Sequence, residues 1–309
     1  MSDSPHILES GYLKVSELHS IYFERCGTPG INPILFIHGG PGAGFTKYDK
    51  RFFDFSQQEV IFFDQRGAAK SRPFGEIKEN TIQDLASDIT RLLDSLKIES
   101  VHLFGGSWGT TLALFFAINN PSRVKSILLR AVFLGNKDDI KHFTGGGTQE
   151  KCPKEWNRFI QQVPEESRHV AAKYYLSKIT EGTKDERDKY CYEWAYNEIS
   201  IFDSKLNNEE INKIINSYSF KSLALIESYY LSNNCFLSDD YILNHLDAIK
   251  DIPCTIIHGQ NDNICPVSQA VLLDSKLNNS TLYLEDAGHS DRVKSIESRI
   301  ISVLDNIKG

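Results

Sequence analysis

Val101-His-Leu-Phe-Gly-Gly-Ser-Trp-Gly-Thr-Thr-Leu-Ala-Leu-Phe-Phe-Ala-Ile118 decides how the chain is read. An apolar run, Val101–Phe104, leads into Gly105-Gly106-Ser107-Trp108-Gly109. A helix-like run, Thr110–Ile118, follows. Strand, sharp turn and helix are the setting in which G-x-S-x-G acquires meaning. The turn strains the central serine and lifts its hydroxyl to the head of the helix, where N–H groups favour developing negative charge. Ser107 is therefore the candidate nucleophile.

Working outward, His38-Gly39-Gly40-Pro41-Gly42 follows the apolar run Ile34–Ile37. Glycines there allow a backbone N–H to reach a substrate carbonyl oxygen. The oxyanion hole is assigned to the N–H groups of Gly40 and Trp108, each donor worth roughly 3–4 kcal/mol in the transition state. Asp262 follows the strand-like run Cys254–His258, and His289 follows Thr281–Leu284. Both fall just past strand ends, where open α/β sheets build their sites. A neutral serine needs an imidazole base, and the base needs a carboxylate to fix its tautomer. The chain order Ser107, Asp262, His289 is that of α/β-hydrolases. Asp64-Gln65-Arg66-Gly67, after Val60–Phe63, is read as a structural hydrogen-bonded turn.

The chain has 309 residues, 40% hydrophobic and 24% charged, which suits a soluble globular protein with a large core. The net charge is −7 and no basic block stands out, so neither nucleic acid nor an anionic membrane is an expected partner. No signal peptide or apolar span is visible. The six cysteines (Cys26, Cys152, Cys191, Cys235, Cys254 and Cys265) form no C-x-x-C and no zinc-like spacing with histidine. They read as reduced thiols, and the expected location is the cytoplasm. There is no Walker-type loop and no G-x-G-x-x-G, and no metal or organic cofactor is expected.

Strand-like and helix-like runs alternate through the first 135 residues, as in a mostly parallel, doubly wound sheet. Tyr12–Val15 and Ile21–Glu24 read as an opening antiparallel pair. A helix begins near Thr81, with Ile82, Leu85, Ile89, Leu92, Leu93 and Leu96 on the helical period. After Phe133 the rhythm changes to helix-like segments: Trp156–Val163, Val170–Ile179, Asp185–Ile199, Asn208–Ser217 and Leu223–Leu231. Alternation resumes at Cys254. The expected organisation is an α/β-hydrolase core from 1–134 and 236–309, interrupted by a helical cap at 135–235.

Together, His38–Gly42, Asp64–Gly67 and Gly105–Gly109 resemble the proline iminopeptidases, α/β-hydrolases that remove an N-terminal proline. Gly145-Gly146, Pro153, Trp156, Phe159, Ile252-Pro253, Cys265-Pro266 and Ala287-Gly288-His289-Ser290 extend the resemblance over nearly the whole chain. It implies peptides with a free N-terminal proline as substrates and two cap carboxylates that hold the amino terminus. One is Glu227, in Ala224-Leu225-Ile226-Glu227-Ser228-Tyr229-Tyr230. The other is Glu198, in Trp194-Ala195-Tyr196-Asn197-Glu198, with Glu193 as its rival. It also implies a proline pocket walled by Phe133, Phe143, Leu231 and Cys265. The chain departs from the family where Ala68-Ala69-Lys70 follows the Asp-Gln-Arg-Gly turn. It departs also at Phe143, where tyrosine is frequent, and at Leu231, where phenylalanine is.

The resulting expectation is a serine exopeptidase that releases N-terminal proline through a prolyl-enzyme. An esterase or amidase on the same scaffold is the alternative, since fold does not fix substrate. Such an enzyme would have no use for paired cap carboxylates. A non-catalytic binding protein on this fold is a further alternative, which hydrolysis of any small ester would exclude.

Overall fold

The computed structural model describes residues 6–202 and 206–307. Its centre is a single eight-stranded sheet in the order β1-β2-β4-β3-β5-β6-β7-β8. The strands are β1 (Ile7–Lys14), β2 (Ser20–Gly27), β3 (Ile34–Ile37), β4 (Glu59–Phe63), β5 (Val101–Gly106), β6 (Val124–Arg130), β7 (Cys254–Gly259) and β8 (Ser280–Glu285). β1 and β2 pair antiparallel, as do β2 and β4; the remaining pairs are parallel. Every residue of β3 and β4 is buried. That is why Ile34–Ile37 and Val60–Phe63 read as unbroken apolar runs rather than alternating ones.

The helices are α1 (Ile82–Ser95), α2 (Trp108–Asn119), α3 (Lys137–Thr144), α4 (Pro153–Gln161), α5 (Ala171–Glu181), α6 (Lys184–Phe202), α7 (Asn208–Ile215), α8 (Phe220–Ser232), α9 (Tyr241–Asn244), α10 (Val267–Lys276) and α11 (Lys294–Asp305). α1 starts at a capping box: the Thr81 side chain accepts from the Asp84 amide, and the Asp84 carboxylate accepts from the Thr81 amide. Its apolar stripe, Leu85, Ile89, Leu92 and Leu93, is buried. α2 is buried from Trp108 through Ile118, so its sequence is apolar all round and carries no amphipathic stripe. On the opposite face, Ile296, Ile300 and Leu304 of α11 share a cluster with Phe36, Phe52, Phe53, Phe62 and Phe104.

β4 lies on one side of β3 and β5 on the other, so the chain reverses direction across the sheet at β3. The crevice at the C-terminal ends of β3 and β5 is where such sheets place a site. α3–α8 all fall between β6 and β7, with α8 packed against both α5 and α6. Trp194 of α6 is fully buried against the rings of Phe143, Phe159 and Tyr175. An aromatic pair of this kind adds about 0.5–1.5 kcal/mol beyond area burial, so Trp194 is a rigid anchor among these helices. All six cysteines are free and buried. Among the described residues, no helix is long and apolar enough to cross a membrane.

Candidate active site

β5 ends at Gly106 and α2 begins at Trp108, which leaves Ser107 alone in the turn with φ 55° and ψ −126°. A non-glycine residue held there stores on the order of 1–3 kcal/mol, which the surroundings must over-determine. They do so by close approach. A Cβ on Gly105 would lie 2.3 Å from the Gly109 carbonyl oxygen, and one on Gly109 would lie 2.2 Å from that of Ile37. The Ser107 amide also donates to the Arg130 carbonyl of β6 at 2.9 Å.

Asp64-Gln65-Arg66-Gly67 ties this turn to its neighbours. Trp108 Nε1 donates to Gln65 Oε1 at 2.9 Å, and Gln65 Nε2 donates to the His38 carbonyl at 2.9 Å. The Gln65 amide donates to His38 Nε2 at 3.0 Å, leaving the His38 Nδ1–H to face the Gly39 carbonyl at 2.8 Å. His38 is therefore a neutral imidazole, and burial pushes its pKa down to about 4. Arg66 is held by both Asp88 oxygens, at 2.6 and 2.7 Å. Among the described residues, neither the Gly40 nor the Trp108 amide has an acceptor within the protein. Trp108 opens its helix, so its N–H is one of those left without an intrahelical partner.

Asp262 and His289 meet as their places in the sequence suggest. His289 Nδ1 donates to Asp262 Oδ2 at 2.8 Å, while Asp262 Oδ1 accepts from the Ile264 and Cys265 amides at 2.8 and 2.9 Å. Burial alone would raise the Asp262 pKa. The adjacent His289 ring and its hydrogen bond outweigh burial and hold the carboxyl below its ordinary range. A second imidazole, which the sequence reading passed over, stands behind it. His258 Nε2 lies 3.6 Å from Asp262 Oδ2 and donates to the Cys265 carbonyl at 2.9 Å, while Nδ1 accepts from the Val132 amide at 3.0 Å. Both ring nitrogens are used, so His258 fastens the loop that carries Asp262. Phe202 packs edge-on against His289 with ring centroids 5.5 Å apart. Among the described residues, Ser107 has no hydrogen bond to His289, a contact that often tightens only with substrate. Potential metal-ligating atoms of Asp262, Cys265 and His289 do lie within 4.8 Å of one another, but both Asp262 oxygens are already engaged.

A small cavity opens beside Ser107, lined by Gly40, Trp108, Phe133, Phe143, Glu227, Leu231 and Cys265 among others. At about 20 Å³ it has room for little more than one water, so a pyrrolidine ring would have to part the walls. α8 forms one wall. Ser222 Oγ donates to the Gly42 carbonyl at 2.8 Å, and Tyr230 packs edge-on against Trp108 at 4.8 Å. Glu227 receives the Trp194 Nε1–H at 2.7 Å. Burial, and then the neighbouring Glu198, push its pKa well above the carboxylate range. Glu198 is half-buried, but its Oε2 is buried with no partner among the described residues, and burial lifts its pKa to about 7. Glu193 is spoken for: Arg158 binds both its oxygens, at 2.8 and 3.0 Å. The Tyr218 hydroxyl, also buried and unpartnered among the described residues, feels both Glu198 and Glu227.

Comparison with known proteins agrees with this architecture. Residues 32–292 match the family model described as the alpha/beta hydrolase fold. A probable proline iminopeptidase of Leptolyngbya boryana is 36% identical over 96% of this chain and 93% of its own. A proline iminopeptidase of Arabidopsis thaliana is 34% identical over 97% of this chain and 80% of its own. Among solved structures, an esterase from Exiguobacterium antarcticum superposes with a TM-score of 0.69 at 19% identity, covering 97% of this chain and 100% of that one. That likeness concerns the fold alone.

Proposed function

This chain belongs to the proline iminopeptidases within the α/β-hydrolase fold family, and from that premise we propose that it is a serine aminopeptidase releasing N-terminal proline from peptides. The observation that carries the reading is a blind cavity at Ser107 lined by the buried Glu227, with Glu198 close enough to act on its charge. An esterase gains nothing from two neighbouring, largely desolvated carboxylates there. A protonated imino group at the end of a peptide repays their desolvation with charge-assisted hydrogen bonds.

In the proposed mechanism the proline ring enters between Phe133, Phe143, Leu231 and Cys265, and its nitrogen meets Glu198 and Glu227. Glu198 is preferred to Glu193 because Arg158 already neutralises the latter. His289 Nε2 takes the Ser107 proton as Oγ attacks the prolyl carbonyl carbon. Asp262 keeps Nδ1 protonated and stabilises the imidazolium. The Gly40 and Trp108 N–H groups receive the oxyanion. The C–N bond breaks as His289 protonates the leaving amine, and water then hydrolyses the prolyl ester by the same route in reverse. Residues 135–235 act as the cap that supplies the clamp. The test is a panel of aminoacyl arylamides. Proline should be the preferred residue by a wide margin, and equal turnover of leucyl and prolyl arylamides would overturn the assignment.

A further inference from the structure

Two cavities flank the Ser107 turn. Besides the blind one, an open groove of about 630 Å³ begins at Gly39 and Gly106. Its volume is that of a small-molecule site. Gly106 directly precedes Ser107, and the Cβ position of Gly39 is 3.9 Å from Ser107 Oγ, so the groove borders the nucleophile's turn. If proline fills the blind side, whatever follows the scissile bond must leave through this groove.

Its lining has a definite chemistry. Tyr48, Phe52, Phe104 and Phe202 supply aromatic surface, and three cations, Lys47, Arg130 and Arg292, face the same space. Among the described residues, no carboxylate lies within ion-pair distance of any of the three. Among the described residues the acids of the groove are engaged: Asp49 accepts from the Thr46 amide and hydroxyl at 2.7 and 2.8 Å, and Asp291 lies 3.5 Å from Arg51. Arg130 is innermost. Its Nη2 is 3.0 Å from the Cβ position of Gly106, and Nη1 donates to the His289 carbonyl at 2.9 Å; its other N–H groups have no acceptor among the described residues. Arg292 lies over the Tyr48 ring at 4.4 Å, which leaves the guanidinium edge open, and Lys47 is exposed.

We propose that this groove binds the leaving part of a short peptide: an apolar or aromatic residue after proline, then a free C-terminal carboxylate. The inference rests on the aminopeptidase reading and narrows its substrates to di- and tripeptides. An extended residue advances about 3.3 Å, so a dipeptide carboxylate falls close to Arg130 and a tripeptide carboxylate falls farther out, toward Lys47 and Arg292. A longer chain would thread the groove without satisfying any of the three cations.

The test compares kcat/KM for Pro-Phe and Pro-Phe-Ala, each as free acid and C-terminal amide, with prolyl arylamide alongside. The acids should exceed the amides by about ten-fold, the difference shrinking in high salt. In a Lys47→Gln/Arg292→Gln variant the acid preference for the tripeptide should fall to within about two-fold, while that for the dipeptide persists through Arg130. Equal rates for acids and amides in the wild type, or a tripeptide preference unmoved by the double substitution, would overturn the groove assignment while arylamide turnover leaves the aminopeptidase reading standing. Failure to cleave prolyl arylamide and every peptide would bring down both.

Discussion

Glu198→Gln should make the free protein more stable and less active, with the gain in stability confined to neutral and alkaline pH. Burial lifts the Glu198 pKa from 4.5 to about 7. The folded state then binds this proton more tightly than the unfolded chain. Between pH 4.5 and about 7 the unfolded chain releases the proton and the folded protein keeps it, so wild-type stability falls as pH rises through that window and levels off above it. At 1.36 kcal/mol per pH unit, the accumulated loss is about 3 kcal/mol. Glutamine is isosteric and never ionises, so the variant lacks this slope. Urea unfolding of both proteins at about pH 5 and about pH 8 measures the difference. Near pH 5 the curves should nearly coincide; at pH 8 the variant should be more stable by about 3 kcal/mol. Turnover of prolyl arylamide should fall at least ten-fold, because one partner of a desolvated charge contact is gone. A stability difference that is the same at both pH values, or a variant less stable at pH 8, would refute the view that Glu198 is a carboxylate held in a dry site for a cationic ligand.

Ser107→Ala should abolish turnover without unfolding the protein, and a fluorophosphonate should label wild type at Ser107 alone; labelling elsewhere would disqualify it as nucleophile. Trp108→Phe leaves the buried Gln65 Oε1 without its donor, so unfolding free energy should drop by about 1–3 kcal/mol and kcat should fall more than KM rises. Unchanged stability and kcat would show that the Gln65 bridge does not hold the turn.

What the sequence disclosed is what is local. β5, the serine turn and α2 follow one another within a few residues, and an apolar run, a glycine pair and a second apolar run suffice to place them. α1 announces itself by its period and by Thr81 at its head. The ends of β4–β8 came out at most two residues short, whereas the opening pair, expected at Tyr12–Val15 and Ile21–Glu24, runs Ile7–Lys14 and Ser20–Gly27. Gly105 and Gly106 carry no side-chain signal, and the end residues of β8, Ser280 and Glu285, are polar and only partly buried. α3 went unread: Lys-Asp-Asp-Ile-Lys-His-Phe-Thr is polar, and its start is fixed by the Asn136 side chain accepting from the Asp139 amide. The ties among His38, Gln65 and Trp108 join loops after three different strands, so no periodicity could reveal them. Likewise Glu193 and Glu198 lie about 140° apart around one helix. Which of them faces Arg158 and which faces Glu227 depends on how α6 sits against α4 and α8, and only the fold decides that.

The most direct measurement compares kcat/KM for prolyl arylamide and N-acetylprolyl arylamide with the wild-type enzyme. Acetylation removes the positive charge and adds bulk at the blind end of the cavity while leaving the scissile bond untouched. If Glu198 and Glu227 hold a protonated imino group, the blocked substrate should be slower by at least about two orders of magnitude, the equivalent of losing a desolvated charge contact of about 3 kcal/mol. Equal rates for blocked and free substrate would contradict the account and leave an esterase or amidase in its place.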